Sequence, residues 1–160
     1  MSQDDKPAEA TIQLQPARLC DAGAIYRLER LCFKQDAWPW FDIVAVLIFP
    51  ETVRIKALVG SQIVGFVVGD RRRGAGLGWI ASIGVHPDYR RQGIGRMMLD
   101  ACEDALDMPR IRLTLRQSNE VAMNLYTRTG YAPVDTWKRY YRDGENGIVM
   151  EKRRQRGPSN

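Results

Sequence analysis

The run Val85-His86-Pro87-Asp88-Tyr89-Arg90-Arg91-Gln92-Gly93-Ile94-Gly95-Arg96 constrains this chain more than any other segment. It follows an apolar stretch, Trp79 to Val85, that reads as a strand. It precedes an amphipathic stretch, Ile94 to Leu106, that reads as a helix. Two glycines with basic neighbours therefore stand at a helix N-terminus. The first N–H groups of a helix have no intrahelical partner, and the helix dipole adds partial positive charge. Such a place binds phosphate, and glycine lets the backbone approach closely because no Cβ intervenes.

Hydrophobic periodicity supplies the frame around this loop. Ile12-Gln13-Leu14 alternates as a short strand. Asp21 reads as the N-cap of a helix whose apolar face carries Ala24, Ile25, Leu28, Leu31 and Cys32. The aromatic loop Phe33 to Trp40 leads to a second helix from about Phe41 to Phe49, stopped by Pro50. Val53, Ile55, Ala57 and Val59 alternate as a strand, Gly60-Ser61 suits a two-residue hairpin, and Ile63 to Val68 returns. Arg71 to Gly78 reads as a flexible basic loop. After the glycine loop, Ile94, Met97, Met98, Ala101, Cys102 and Ala105 recur at helical spacing. Ile111, Leu113 and Leu115 alternate as a strand, and Ser118 or Asn119 caps a helix that runs to Thr129, with Gly130 at its end. Tyr131 to Tyr141 and Ile148 to Lys152 complete an antiparallel pair around Asp143-Gly144. The order β-α-α-β-β-β-α-β-α-β-β implies a mixed α/β or α+β sheet in a single domain. Residues 11–152 form that domain, between a flexible segment at 1–10 and a basic tail at 153–160.

Charge and cysteine usage exclude some classes. The net charge of +5 is concentrated in Arg71-Arg72-Arg73, Arg90-Arg91, and Lys152-Arg153-Arg154 with Arg156. These could meet nucleic acid, an acidic peptide or a phosphorylated cofactor, or form a solvated basic surface. No helix-turn-helix pattern supports DNA reading, which makes nucleic acid an unfavoured partner. Three scattered cysteines and one histidine, His86, leave no zinc spacing, so no metal is expected. No apolar run approaches the ~20 residues that span a bilayer. Met1-Ser2-Gln3-Asp4-Asp5 lacks a signal pattern, which favours the cytoplasm.

Arg90-Arg91-Gln92-Gly93-Ile94-Gly95 resembles the acetyl-CoA motif of the GNAT family of N-acetyltransferases, a Gln or Arg followed by two residues, Gly, one residue, and Gly or Ala. Asn119, Leu125-Tyr126 and Gly130-Tyr131 resemble the family's later signature in the right order. Arg139-Tyr140-Tyr141, Asp143-Gly144-Glu145 and Val149-Met150 are similar to the RimI-like branch and its N-terminal acetyltransferase relatives. The resemblance covers nearly the whole chain. It implies a mostly antiparallel sheet flanked by helices and an acetyl-CoA-dependent acyl transfer to an amine.

The resemblance also assigns roles. The N–H groups of Arg91, Gln92, Gly93, Ile94, Gly95 and Arg96 would wrap the pyrophosphate, with Arg90, Arg91 and Arg96 adding charge. Ile83, Gly84 and Val85 would pair with the pantetheine arm as an added strand does, with Gly65 and Gly69 beside them. Asn119 would hold that arm, and Tyr126 would protonate the departing thiolate, a phenol being protonated at pH 7. Phe33, Trp38, Trp40, Tyr140 and Tyr141 would frame the acceptor entrance, although Trp38 and Trp40 could equally cap the core. The branch has glutamate where this chain carries Thr114. Glu29 and Asp36 are the substitute candidates for the base, set against a reading of both as surface carboxylates; His86 reads as a turn residue. The acceptor is expected to be a protein or peptide N-terminus, with a ribosomal protein among the candidates, or alternatively a small amine or lysine side chain. A non-catalytic module and a monomer or dimer both remain open.

Overall fold

The computed structural model describes residues 11–155. Seven strands form a single sheet: β1 (Ile12–Pro16), β2 (Thr52–Val59), β3 (Gln62–Arg72), β4 (Leu77–Val85), β5 (Arg110–Arg116), β6 (Ala132–Trp137) and β7 (Gly147–Arg153). Four helices flank it: α1 (Ala22–Phe33), α2 (Trp40–Ile48), α3 (Ile94–Leu106) and α4 (Glu120–Arg128). The element order is the one expected. The spatial order is β1-β2-β3-β4-β5-β7-β6. Every neighbouring pair is antiparallel except β4 and β5, which run parallel. The segment expected at 1–10, and residues 156–160 of the tail expected at 153–160, lie outside the described residues; Arg153 is the last residue of β7.

Two apolar clusters fill the two faces. Ile25, Leu28, Ile43 and Leu47 of α1 and α2 pack on Phe66 and Val68 of β3. Met98, Leu99, Cys102 and Leu106 of α3 cover the other face with Val64, Val67, Ile80 and Ile111. Tyr126 of α4 and Tyr131 join that second cluster. Glycine permits the close approach of α3. A Cβ at Gly69 would lie 2.8 Å from Cys102 Sγ and 3.0 Å from Leu106 Cδ1. The glycines of β3 thus make room for a helix.

Several expected details change. Leu31 is 45% exposed, so it lies off the buried stripe of α1, whose buried members include Glu29. On α3 the buried face runs Ile94, Met98, Leu99, Cys102 and Leu106, leaving Met97 39% exposed. Arg71 to Gly78 is no long loop. β3 continues to Arg72 and β4 begins at Leu77, joined by one 3-10 turn, Arg73–Ala75. β6 ends at Trp137 rather than at Tyr141, and residues 138–146 form a loop. Gly60 has φ +59° in the two-residue hairpin expected there.

Two irregularities position the site. First, β4 and β5 share four rungs, Leu77 to Arg110 through Ile80 to Leu113, and then part. Residues 81–85 of β4 therefore have no strand on the β5 side. Second, the β3–β4 register jumps from Val68 opposite Ser82 to Gly69 opposite Ile80, leaving Ala81 as the extra residue of a bulge. A bulge reverses which side chains face which way. Gly78 and Ile80 face α3, but Ser82 and Gly84 face α1.

Candidate active site

A cleft of about 630 Å³ opens where β4 and β5 part. Its walls include Glu29 and Phe33 from α1, Gln35 to Pro39 from the loop after α1, and Ile80 to Ile83 from β4. Leu113 to Arg116 of β5, Asn119, Tyr126 and Tyr140 to Arg142 complete them. Sequence-distant segments thus meet around one gap in the sheet.

Glu29 is 1% exposed although it is a carboxylic acid on a surface helix. Its Oε1 accepts the Trp38 N–H at 3.2 Å, and its Oε2 accepts the Ser82 hydroxyl at 3.1 Å. Burial dominates these two bonds and pushes its carboxyl up to about 7. Such a group can take up and release a proton near neutrality.

Tyr126 lines the opposite wall with its ring buried. Burial pushes its phenol up to about 12, so it keeps its proton. The Tyr131 ring stands edge-on to it, with centroids 5.7 Å apart. Tyr131 is fixed in turn by donating to Glu103 Oε1 at 2.7 Å, while Lys152 holds Glu103 Oε2 at 2.7 Å. Asn119 caps α4 by accepting the Ala122 N–H at 3.1 Å, which leaves its amide nitrogen directed elsewhere. Thr114 Oγ1 is buried with no partner among the described residues.

Asp36 is not a free carboxylate. Arg116 grips it through Nε at 2.6 Å and Nη2 at 2.8 Å. Phe33, Trp38, Tyr140 and Tyr141 all line the cleft. Trp40 does not; it opens α2 and packs edge-on against Tyr26 at 5.6 Å. His86 Nδ1 accepts the Asp88 N–H at 3.2 Å, a turn contact.

The glycine loop carries the geometry of an anion cradle. Arg91 has φ +63° and Gly93 φ +78°, turning the chain sharply into α3. Ile94 is fully buried and anchors the first turn. No acceptor among the described residues takes the N–H groups of Arg91 to Arg96. A Cβ at Gly93 would meet nothing within 4 Å. Protein packing therefore does not explain that glycine; the strained φ and the open space above it do.

The family model described as "Acetyltransferase (GNAT) family" matches residues 23–131. The chain is 30% identical over 152 residues to an N-alpha-acetyltransferase of Sulfurisphaera tokodaii, covering 86% of this chain and 90% of that one. The chain belongs to the GNAT family. The fold of this acetyltransferase matches that of the ribosomal-protein-S18-alanine N-acetyltransferase from Escherichia coli with a TM-score of 0.84. That match has 22% identity over 94% of this chain and 98% of the other. The PaiA N-acetyltransferase of Thermoplasma acidophilum, in complex with coenzyme A, matches with a TM-score of 0.77 at 15% identity over 90% and 99% of the two chains.

Acetyl-CoA is the donor of the GNAT reaction. This acetyltransferase fits it on two counts: a run of unclaimed N–H groups at the start of α3, and an unpaired stretch of β4. Along that stretch Ile83 and Val85 point into the α3-side cluster, and Gly84 packs under Phe66, Cys32 and Phe33. The Val85 carbonyl accepts Arg90 Nε at 3.2 Å and Cys32 Sγ at 3.4 Å. Arg96 pairs with Asp100 at 2.9 Å on the exposed side of α3, while Arg90, Arg91 and Gln92 are exposed.

Sequence reasoning did not single out Ser82, Arg116, Trp79 or Trp137. Ser82 is legible only once the bulge at Ala81 is known. Trp79 and Trp137 stack at 5.7 Å with a 7° interplanar angle across β5 and β7, a contact between distant strands. The basic clusters are largely spoken for. Arg73 pairs with Glu51, Arg154 with Asp104, and Lys152 with Glu103. No helix among the described residues is long and apolar enough to cross a membrane.

Proposed function

We propose that this acetyltransferase acts on the α-amine of a protein or peptide N-terminus, with Glu29 as general base and Tyr126 as general acid. The observation that carries the reading is the pairing of two oppositely poised groups across one cleft. One is a buried carboxyl pushed up to about 7; the other is a buried phenol pushed up to about 12. When bound, acetyl-CoA supplies the acetyl group already activated as a thioester. The rest falls to the chain. An α-amine titrates near 8, so Glu29 Oε1 or Oε2 removes a proton at almost matched affinity. Tyr126 holds a proton at its hydroxyl for the sulfur that departs. Gln92 to Arg96 and Asn119 bind and orient the donor. Phe33, Trp38, Tyr140 and Tyr141 shape the acceptor's entrance and exclude water. Arg116 holds Asp36 on both oxygens, which favours Glu29 over Asp36 for proton transfer. The relative named above as an N-alpha-acetyltransferase and the fold match to a ribosomal-protein enzyme favour a protein N-terminus, with ribosomal proteins as one acceptor class.

A coenzyme A release assay tests the reading against N-terminal peptides, N-blocked lysine peptides and small amines. Turnover on free N-terminal peptides supports it. Turnover confined to small amines or lysine side chains overturns it.

A further inference from the structure

Arg116, the last residue of β5, fastens two distant loops across the mouth of the cleft. Besides its double bond to Asp36, its Nη1 donates to Asp143 Oδ2 at 2.8 Å and to Glu145 Oε2 at 2.6 Å. Asp36 lies in the loop between α1 and α2. Asp143 and Glu145 lie in the loop between β6 and β7. Gln35 Nε2 spans the same two loops directly, 3.4 Å from Asp143 Oδ2. The second oxygen of Glu145 accepts the Ser118 N–H at 2.8 Å, which ties the cluster to the turn before Asn119. The guanidinium also lies over the Tyr141 ring, 4.2 Å from its centroid.

The arrangement is specific to arginine. A planar fork can bond two carboxylate oxygens on one edge and two further carboxylates beyond it, which a lysine ammonium cannot reproduce. The Arg116 side chain is only 17% exposed, so these bonds are partly shielded from solvent. Hydrogen bonds from Ser118 and Arg116 hold the Glu145 carboxyl below the usual range; the Glu145 N–H and Arg116 do the same for Asp143. Without Arg116, three carboxylates would face one another with no cation between them. Like charges at that range repel, and the two loops would separate.

We propose that Arg116 is a positioning residue for the acceptor: by joining Asp36 to Asp143 and Glu145 it sets the spacing of the loops that carry Phe33, Trp38, Tyr140 and Tyr141, and through that spacing the affinity for the acceptor's N-terminal segment. This rests on the reading that the acceptor enters between those loops. Arg116 touches no reacting atom, so its removal acts on acceptor binding more than on the chemical step.

The test compares Arg116→Met, Arg116→Lys, Asp36→Asn and the Arg116→Met/Asp36→Asn double variant with the wild type, using a substrate peptide from the acceptor panel. Amide exchange is read in residues 34–39 and 139–146, together with peptide KM, kcat and acetyl-CoA affinity. In Arg116→Met, exchange is expected to rise in both loops together, and peptide KM to rise roughly tenfold. Acetyl-CoA affinity stays within about twofold. Arg116→Lys recovers part of the KM, and the double variant is no worse than Arg116→Met alone. Unchanged exchange or unchanged KM in Arg116→Met overturns the proposal. So does an equal loss of peptide and acetyl-CoA affinity, which marks a general structural role. If the wild type acetylates no N-terminal peptide, the acceptor reading fails, and the KM comparison proceeds with whichever amine the panel identifies. No turnover on any acceptor overturns both.

Discussion

Glu29 follows Ile25 by four positions and Ala22 by seven, so helical geometry alone sets it on the buried stripe of α1. The signal was present in the spacing, but charge masks it, because a carboxylate is almost always read as outward-facing. What settles its position is the bulge at Ala81, which turns Ser82 toward it and gives the buried carboxyl a donor. The consequence is a defined pH dependence. The base form of Glu29 grows as pH rises through about 7, so kcat/KM climbs from pH 5.5 to 8 with an apparent midpoint near 7. In Glu29→Gln the midpoint near 7 is lost, the rise follows the acceptor amine's own titration at about 8, and turnover at pH 7 falls by on the order of 100-fold. The deficit narrows above pH 8, where more of the acceptor amine is already neutral. A pH series on both proteins checks this; the wild-type midpoint retained in Glu29→Gln removes Glu29 from proton transfer. The folded-state value lies above the ordinary 4.5, so the stability Glu29 contributes is full below that pH and is lost as pH rises through about 7. Glu29→Gln should therefore flatten the decline in urea stability between pH 5 and 8. Tyr126→Phe removes the proton that the proposed mechanism passes to the leaving group; kcat is expected to fall by roughly 10- to 100-fold with acetyl-CoA affinity kept within twofold. Calorimetric titration beside turnover separates the two quantities.

At the level of elements, the strand–loop–helix unit was legible because its glycines stand between two clear periodicities. The β3–β4 hairpin was not. Three arginines and nearby glycines break the alternation from Arg71 to Gly78, yet pairing continues to Arg72 opposite Leu77. Exposed positions at a hairpin's end need not be apolar, and Arg72 gains a partner that sequence cannot display, the Trp79 ring at 4.9 Å. The same blindness hid the loop at 138–146. Its aromatic residues read as strand, but Arg139 has φ +53° and the Tyr140 ring packs where a Cβ at Gly147 would clash at 3.0 Å. Two substitutions separate the roles of glycine. Gly93→Val places a branched side chain at φ +78°, at the mouth of the anion cradle, and should weaken acetyl-CoA binding at least tenfold in titration calorimetry. Gly69→Ala instead crowds Cys102 and Leu106 of α3 and should cost about 1–3 kcal/mol of stability in urea denaturation with little effect on donor affinity. Reversal of the two outcomes would exchange their roles.

Across the whole molecule, the missing rungs beside residues 81–85 leave strand edge inside the sheet, where proteins ordinarily leave none. A ligand that fills this gap restores backbone partners and bridges β4 to β5. Acetyl-CoA at 100 times its dissociation constant should add about 2.7 kcal/mol of stability by linkage, seen as a rise in Tm that Gly93→Val cuts to about half or less at the same ligand concentration. An unchanged Tm on saturation with acetyl-CoA would place the donor elsewhere. The gap has one more consequence, and it concerns the chain's order rather than its chemistry. β1 to β4 pair only among themselves apart from those four rungs, and β5 to β7 do the same. The polypeptide crosses this divide once, between Leu106 and Arg110. Glu29 and the anion cradle belong to the first portion; Asn119, Tyr126 and Arg116 belong to the second. The proposed proton acceptor and proton donor are thus inherited from opposite sides of a single covalent joint, so a polypeptide still emerging with only its first portion made holds one of them without the other.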